Sequence, residues 1–161
     1  KTAYEIKECD WSSDVCSSDL DEEAIERAMA RCAVTAFADR PTTELSGGER
    51  ARVAFARALC AEAELLLLDE PIASLDPAYQ LATMEILRAE RNAGRCVVAV
   101  LHDLSLALRH ADRVLLFADG KLAADAPPEA LLSSGALDMA FGVRIETAVA
   151  ESGLLVGAAR R

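Results

Sequence analysis

The chain has 161 residues and a formal net charge of −10, so one domain with a real core is expected, and broad nucleic-acid binding through a basic surface is disfavoured. Its 52% hydrophobic content with only 4% aromatics is Ala- and Leu-rich and leans to helix, which argues against a β-sandwich. No apolar run reaches the length of a membrane span, and the first residues lack the apolar stretch of a secretory leader. Five cysteines (Cys9, Cys16, Cys32, Cys60, Cys96) are an odd number without metal-like spacing, and read as isolated thiols in a reducing compartment.

Residues 1–20 show neither helical nor strand periodicity. Lys1 to Ile6 and Trp11 to Leu20 match translated arms of a short-read sequencing adapter, so this stretch is read as a non-native tail and set aside from fold reasoning. The remainder is expected to begin near Asp21.

Residues 21–32 predict a helix. Asp21 suits the N-cap, Glu22 and Glu23 suit the first turn, and Ala24, Ile25, Ala28, Met29 and Cys32 form an apolar stripe. Arg40-Pro41 breaks the chain before Leu45. Leu45-Ser46-Gly47-Gly48-Glu49 is then a turn with nothing bulky on it, followed by a helix to about Cys60 whose stripe is expected at Ala51, Ala54, Phe55, Ala58 and Leu59. The glycine pair thus sits at a helix N-terminus, where amides and dipole favour an anion such as phosphate. Leu65-Leu66-Leu67-Leu68 predicts a parallel strand buried on both faces, with Asp69 and Glu70 at its carboxyl end, where open α/β sheets place their chemistry.

Asp76-Pro77 opens the next helix, with Tyr79, Ala82, Ile86 and Ala89 as its expected buried face and a stop at Asn92-Ala93-Gly94. Residues 97–101 predict a second buried strand with His102 at its end, and residues 104–110 a short helix. A hairpin follows at 114–118 and 121–124 across Asp119-Gly120. Helices are expected at 127–132 and 135–141, and a last hairpin at 144–150 and 154–157.

Two strand ends therefore carry polar groups, Asp69-Glu70 and His102-Asp103, expected to face one crevice. Mg²⁺ takes carboxylate, water and phosphate oxygens, which points to Asp69 as the metal residue. Glu70 is placed to accept a proton from an attacking water, and His102 to hold a terminal phosphate in line. This is a layout for phosphoryl transfer by positioning and charge stabilisation.

Leu-Ser-Gly-Gly-Glu, a strand ending Asp-Glu-Pro, then Ser74-Leu75-Asp76, then a strand ending His-Asp, in this order, resembles the ATP-binding-cassette (ABC) ATPases. The resemblance covers residues 21–118 and more loosely the tail. It implies a P-loop NTPase-like α/β fold, mostly a parallel sheet flanked by helices. It implies a helical subdomain over residues 21–62, and a catalytic-core portion with a C-terminal hairpin over 63–161. ATP and Mg²⁺ would be the cofactors. Ser46, Gly47, Gly48 and Glu49 would form the signature motif, reaching ATP held by a partner subunit. Asp69 would meet Mg²⁺ through water, and Glu70 would be the catalytic base. Asp76 would close a loop crossing the dimer interface, and His102 would be the switch histidine. Ile72 stands where the family often has Thr.

The run from Val100 to Val114, with Asp119-Gly120-Lys121 and Phe141-Gly142-Val143, resembles the branch of bacterial importers for ferric siderophores, haem and cobalamin. The implied partners are a second ATPase subunit, transmembrane permease subunits and, indirectly, a substrate-binding protein, at the cytoplasmic face of the inner membrane. No nucleic-acid partner is implied. The sequence holds no Gly-x-x-x-x-Gly-Lys-Ser/Thr loop, no adenine-stacking aromatic upstream and no glutamine loop. The chain is accordingly expected to be the C-terminal half of such a domain, without ATPase activity alone. Alternatives are a soluble non-transport ABC ATPase or an inactive fragment.

Overall fold

The computed structural model describes residues 21–151 and 153–160; the adapter-like stretch lies outside them. The described residues divide into two compact units, one up to Val100 and the other from Leu101 onward.

In the first unit, α1 (Glu22–Arg31) starts where Asp21 accepts the Glu23 amide, and Ala24 and Ala28 are buried as expected. Two short 3-10 turns, Thr35–Phe37 and Thr42–Glu44, carry the chain past Pro41. Helix α2 (Gly47–Cys60) packs on α1. Its buried face is Val53, Phe55, Ala56, Leu59 and Cys60, and Ala54 is exposed, so the expected stripe is corrected by a rotation of the helix. The larger side chains set that rotation, because burying Val gains more than burying Ala.

Strand β1 (Leu65–Asp69) pairs in parallel with β2 (Cys96–Val100), with Asp69 opposite Val100. Helix α3 (Pro77–Asn92) joins them and lies on β2, the arrangement of a βαβ unit. Its buried residues are Thr83, Met84, Leu87 and Glu90, whereas Ala82 and Ala89 are exposed; the expected face is off by about one residue. Gly94 ends the helix at φ 91°.

The expectation of strands buried on both faces is also corrected. Leu66 is buried, but Leu67 is 70% exposed, and Leu65, Val98 and Val100 on the same side of the sheet are exposed too. Alternation along each strand sends one set of side chains toward helices and the other outward.

The second unit begins with α4 (Leu104–His110), capped by Asp103. Strands β3 (Val114–Ala118) and β4 (Lys121–Ala126) form an antiparallel hairpin. Its turn has φ 49° at Asp119 and 72° at Gly120, the positive pair a two-residue hairpin requires. Helices α5 (Pro128–Ser134) and α6 (Ala136–Phe141) follow, then the hairpin of β5 (Arg144–Ala150) and β6 (Gly153–Ala159). Leu108, Leu116, Leu131 and Leu137 form this unit's core.

Candidate functional site

The head of α2 is built by its own sequence. Ser46 is the N-cap: its Oγ accepts the Glu49 amide at 3.3 Å, and the Glu49 carboxylate accepts the Ser46 amide at 2.7 Å. This reciprocal box satisfies two amides that a helix start otherwise leaves unpaired. The Ser46 amide holds the Glu49 carboxyl below its usual range. Arg50 donates to the carbonyl of buried Leu45, which fixes the entry to the turn.

The two glycines differ. A Cβ on Gly47 would meet nothing within 4 Å, whereas a Cβ on Gly48 would come within 3.1 Å of the Ser74 carbonyl oxygen. A side chain at Gly48 would therefore press on the turn before α3, which comes close to the helix head. A Cβ at Gly47 would meet open space, and the first amides of α2 have no carbonyl four residues back to pair with. A helix start of this kind favours an anion.

Ser46 can still donate its hydroxyl hydrogen outward, since only its oxygen is used in the cap. Glu49 is engaged with the Ser46 backbone, which makes it a support of the turn and an anion at the same helix end.

Asp69 closes β1 and is exposed. Glu70 follows with φ 48°, its amide donating to the Val100 carbonyl at 3.1 Å and its carbonyl accepting the Ala73 amide at 3.2 Å. Left-handed backbone at a residue with a Cβ costs roughly 1–2 kcal/mol. It turns Glu70 off the strand's alternation and sends the chain into the turn that ends at Asp76. Gln80 steadies that turn by donating to the Ile72 carbonyl at 3.2 Å, so Ile72, buried, serves it through its backbone. Asp76 caps α3, accepting the Ala78 and Tyr79 amides at 3.0 and 3.1 Å.

The first unit thus joins Ser46, Gly47, Gly48 and Glu49 on one turn, places Asp69 and Glu70 at a strand end, and sets Gly48 against the loop leading to Asp76. His102 belongs to the second unit, where it is exposed and lies two residues past the end of β2 rather than at it. Asp103 is the N-cap of α4, its carboxylate accepting the Leu106 amide at 2.9 Å, so it reads as a helix cap more than as a partner of His102.

Among the described residues, no three His, Cys, Asp or Glu side chains gather as a metal cage. Mg²⁺ bound through one carboxylate and phosphate oxygens needs no such cage, and the exposed Asp69 carboxylate fits that mode.

Two features of this unit escape the sequence pattern. Glu90 is 2% exposed and bridges Arg31 of α1 to Arg95 ahead of β2. Its signal was an acid at helical spacing from Thr83 and Leu87 with an Arg five residues on. Arg52 stacks on Tyr79 with 3.8 Å from guanidinium carbon to ring centroid, which no local spacing announces.

The ABC transporter family matches residues 2–73. The chain is 50% identical over 129 residues to the hemin import ATP-binding protein HmuV of Rhodococcus jostii, covering 80% of this chain and 44% of that protein. It is 45% identical to the cobalamin import ATP-binding protein BtuD of Halobacterium salinarum, over 80% of this chain and 32% of that protein. Among solved structures, a metal-chelate type ABC transporter in an inward-facing conformation superposes with a TM-score of 0.74 at 25% identity, over 91% of this chain and 59% of that one. The dimeric bacterial ABC transporter cassette MJ0796 superposes with a TM-score of 0.63 at 26% identity, over 72% of this chain and 50% of that one. The chain spans about half the length of the curated HmuV relatives it matches.

Proposed function

The chain belongs to the ABC transporter family, and from that premise we propose that it supplies the helix-head half of an ATP-hydrolysing site that powers import of haem, a related iron chelate or cobalamin. The observation that carries this reading is the head of α2, with open space over Gly47 and Gly48 pressed against Ser74.

ATP, when bound with Mg²⁺, supplies the phosphoryl group and most of the charge to be neutralised. The chain's residues act around it. The amides of Gly47 and Gly48 and the Ser46 hydroxyl hold phosphate oxygens presented by a second cassette. Asp69 would hold Mg²⁺ through water, and Glu70 would accept the proton of an attacking water. His102 contacts the terminal phosphate. Residues 21–62 act as the helical portion, and residues 63–161 as the catalytic-core portion with its tail. The cargo class follows from the names of the relatives, which are hemin and cobalamin import subunits. Permease subunits, a substrate-binding protein and a location at the cytoplasmic face of the membrane come with that assignment. Among the described residues no helix is long and apolar enough to cross a membrane.

A second reading, an inactive chain, is favoured by one observation: these 161 residues contain no phosphate-cradling Gly-Lys loop. The two readings part in one experiment. Full-length HmuV from Rhodococcus jostii, with arginine substituted at the position aligned to Ser46, is mixed with this chain and ATP turnover is measured. The chain alone is expected to give none. Restored turnover that Ser46→Arg in this chain abolishes supports the site in trans. No restoration at any ratio of the two chains overturns it.

A further inference from the structure

We propose that Arg52 is a positioning residue: it clamps the head of α2 to the turn before α3, so that Ser46-Gly47-Gly48 and Ser74-Leu75-Asp76 hold one fixed relation. The proposal rests on the reading of both turns as nucleotide-handling elements, and deepens it by naming what sets their spacing.

Gly48 and Arg52 are four residues apart on α2 and so lie on one face of the helix, one turn apart. Both meet the same neighbour. Gly48 faces the Ser74 carbonyl, with 3.1 Å to a Cβ built on it. Arg52 stacks on Tyr79 at 3.8 Å. Tyr79 lies in the first turn of α3, and its amide is bound by Asp76 at 3.1 Å. The stack therefore reaches the Asp76 cap through one residue.

The other edge of the guanidinium is held as well. Arg52 Nη1 donates to the Ala33 carbonyl at 3.1 Å, and the Phe37 ring centroid lies 5.4 Å from the guanidinium carbon. A cation within reach of two ring faces and tied by one directed hydrogen bond has little freedom to turn. Arginine suits this place where lysine does not, because the flat fork stacks and donates at once, whereas an ammonium is a hydrated point charge. Two fixing points one helical turn apart set both the distance and the angle between α2 and α3. A single point would leave the angle free.

The test uses the ¹⁵N-labelled 161-residue chain without nucleotide, so its outcome is independent of whether the site handles ATP. Amide hydrogen exchange is read at Glu49 and Arg50 on one turn and at Leu75 and Tyr79 on the other, with the NOE between Gly48 Hα and Ser74. Arg52→Ala and Tyr79→Leu are each expected to speed exchange at both turns about tenfold and to weaken that NOE. The double variant should go no further than either single one. Arg52→Lys should behave as Arg52→Ala, and Tyr79→Phe as the parent. Residues 55–59 inside α2 should keep their rates. Should Arg52→Ala not fold, Tyr79→Leu and Tyr79→Phe carry the same comparison. Three results overturn the proposal: turns that loosen independently, rescue by lysine, or a rise at residues 55–59 equal to that at the turns.

Discussion

The head of α2 and the end of β1 are both polar turns in the same unit, and they are stabilised in opposite ways. The helix head is closed by its own residues: a Ser46–Glu49 box, an Arg50 anchor and a Gly48 wedge. The strand end leans on a two-stranded parallel sheet that has α3 packed against β2 and leaves Leu67, Val98 and Val100 exposed. Parallel sheets ordinarily have both faces covered. Local capping thus completes the anion-facing turn within this chain. The carboxylates of Asp69 and Glu70 sit on a scaffold with one bare apolar side.

The sharpest way to break that contrast is to truncate adjacent leucines of β1. Leu66 is 5% exposed and Leu67 is 70% exposed. Leu66→Ala is expected to lower unfolding free energy by roughly 3 kcal/mol, from lost burial and the cavity left behind. Leu67→Ala is expected to change it by less than about 0.5 kcal/mol. Urea denaturation of both variants gives the comparison. Equal losses would show that the outer face of the sheet is covered in solution.

A smaller effect separates the two turns themselves. Ser46→Ala removes the cap acceptor and should cost about 1 kcal/mol. Glu70→Gly relieves a left-handed backbone worth roughly 1–2 kcal/mol, less the extra chain entropy of glycine, roughly 0.5–1 kcal/mol. The Gly variant is therefore expected to hold or gain up to about 1.5 kcal/mol. A Glu70→Gly chain at least as stable as the parent would mark the left-handed backbone at Glu70 as a cost that folding does not require. A loss of stability in Glu70→Gly equal to that of Ser46→Ala would erase the distinction between the turns.

These differences also explain what the sequence made legible. Caps and turns are local, so Asp21, Ser46, Asp76 and the Asp119-Gly120 turn could be read directly, and element ends follow them closely. Helix rotation is not local. Ala82 and Ala89 looked like the buried face of α3, but that face belongs to Thr83, Met84, Leu87 and a buried Glu90. A buried acid is favourable only beside Arg31 and Arg95; Arg95 follows five residues on, but Arg31 comes from another helix and no local spacing flags it. The four leucines of β1 gave the strand but not its bare side, because exposure depends on what packs against a strand. Among the site residues, Ser46 to Glu49 were legible as a helix head from spacing alone. The roles proposed for Asp69, Glu70 and His102 came from their places at the ends of two apolar strands, and then from motif order. Arg52 was missed because its partners Tyr79, Phe37 and Ala33 are brought together only by the fold.

The smallest effect is electrostatic and belongs to the helix head alone. The Ser46 amide holds the Glu49 carboxyl below its usual range. A carboxyl depressed by folding contributes stability that is complete above its unfolded value, about 4.3, and is lost as pH falls through the lower folded value. Glu49→Gln keeps an acceptor for the box but no charge. The parent is therefore expected to exceed Glu49→Gln slightly in thermal midpoint at pH 6, with the gap closing as pH is lowered toward 3. A constant gap across that range would trace the Glu49 contribution to hydrogen bonding without charge. The same substitution removes a negative charge from the end of α2 where phosphate is proposed to sit. Its cost in stability should therefore come with tighter anion binding, measured as larger shifts of the Gly47 and Gly48 amides on phosphate titration. At the end of β1 the carboxylates of Asp69 and Glu70 are proposed instead for the metal and the proton, so this trade is specific to the helix head.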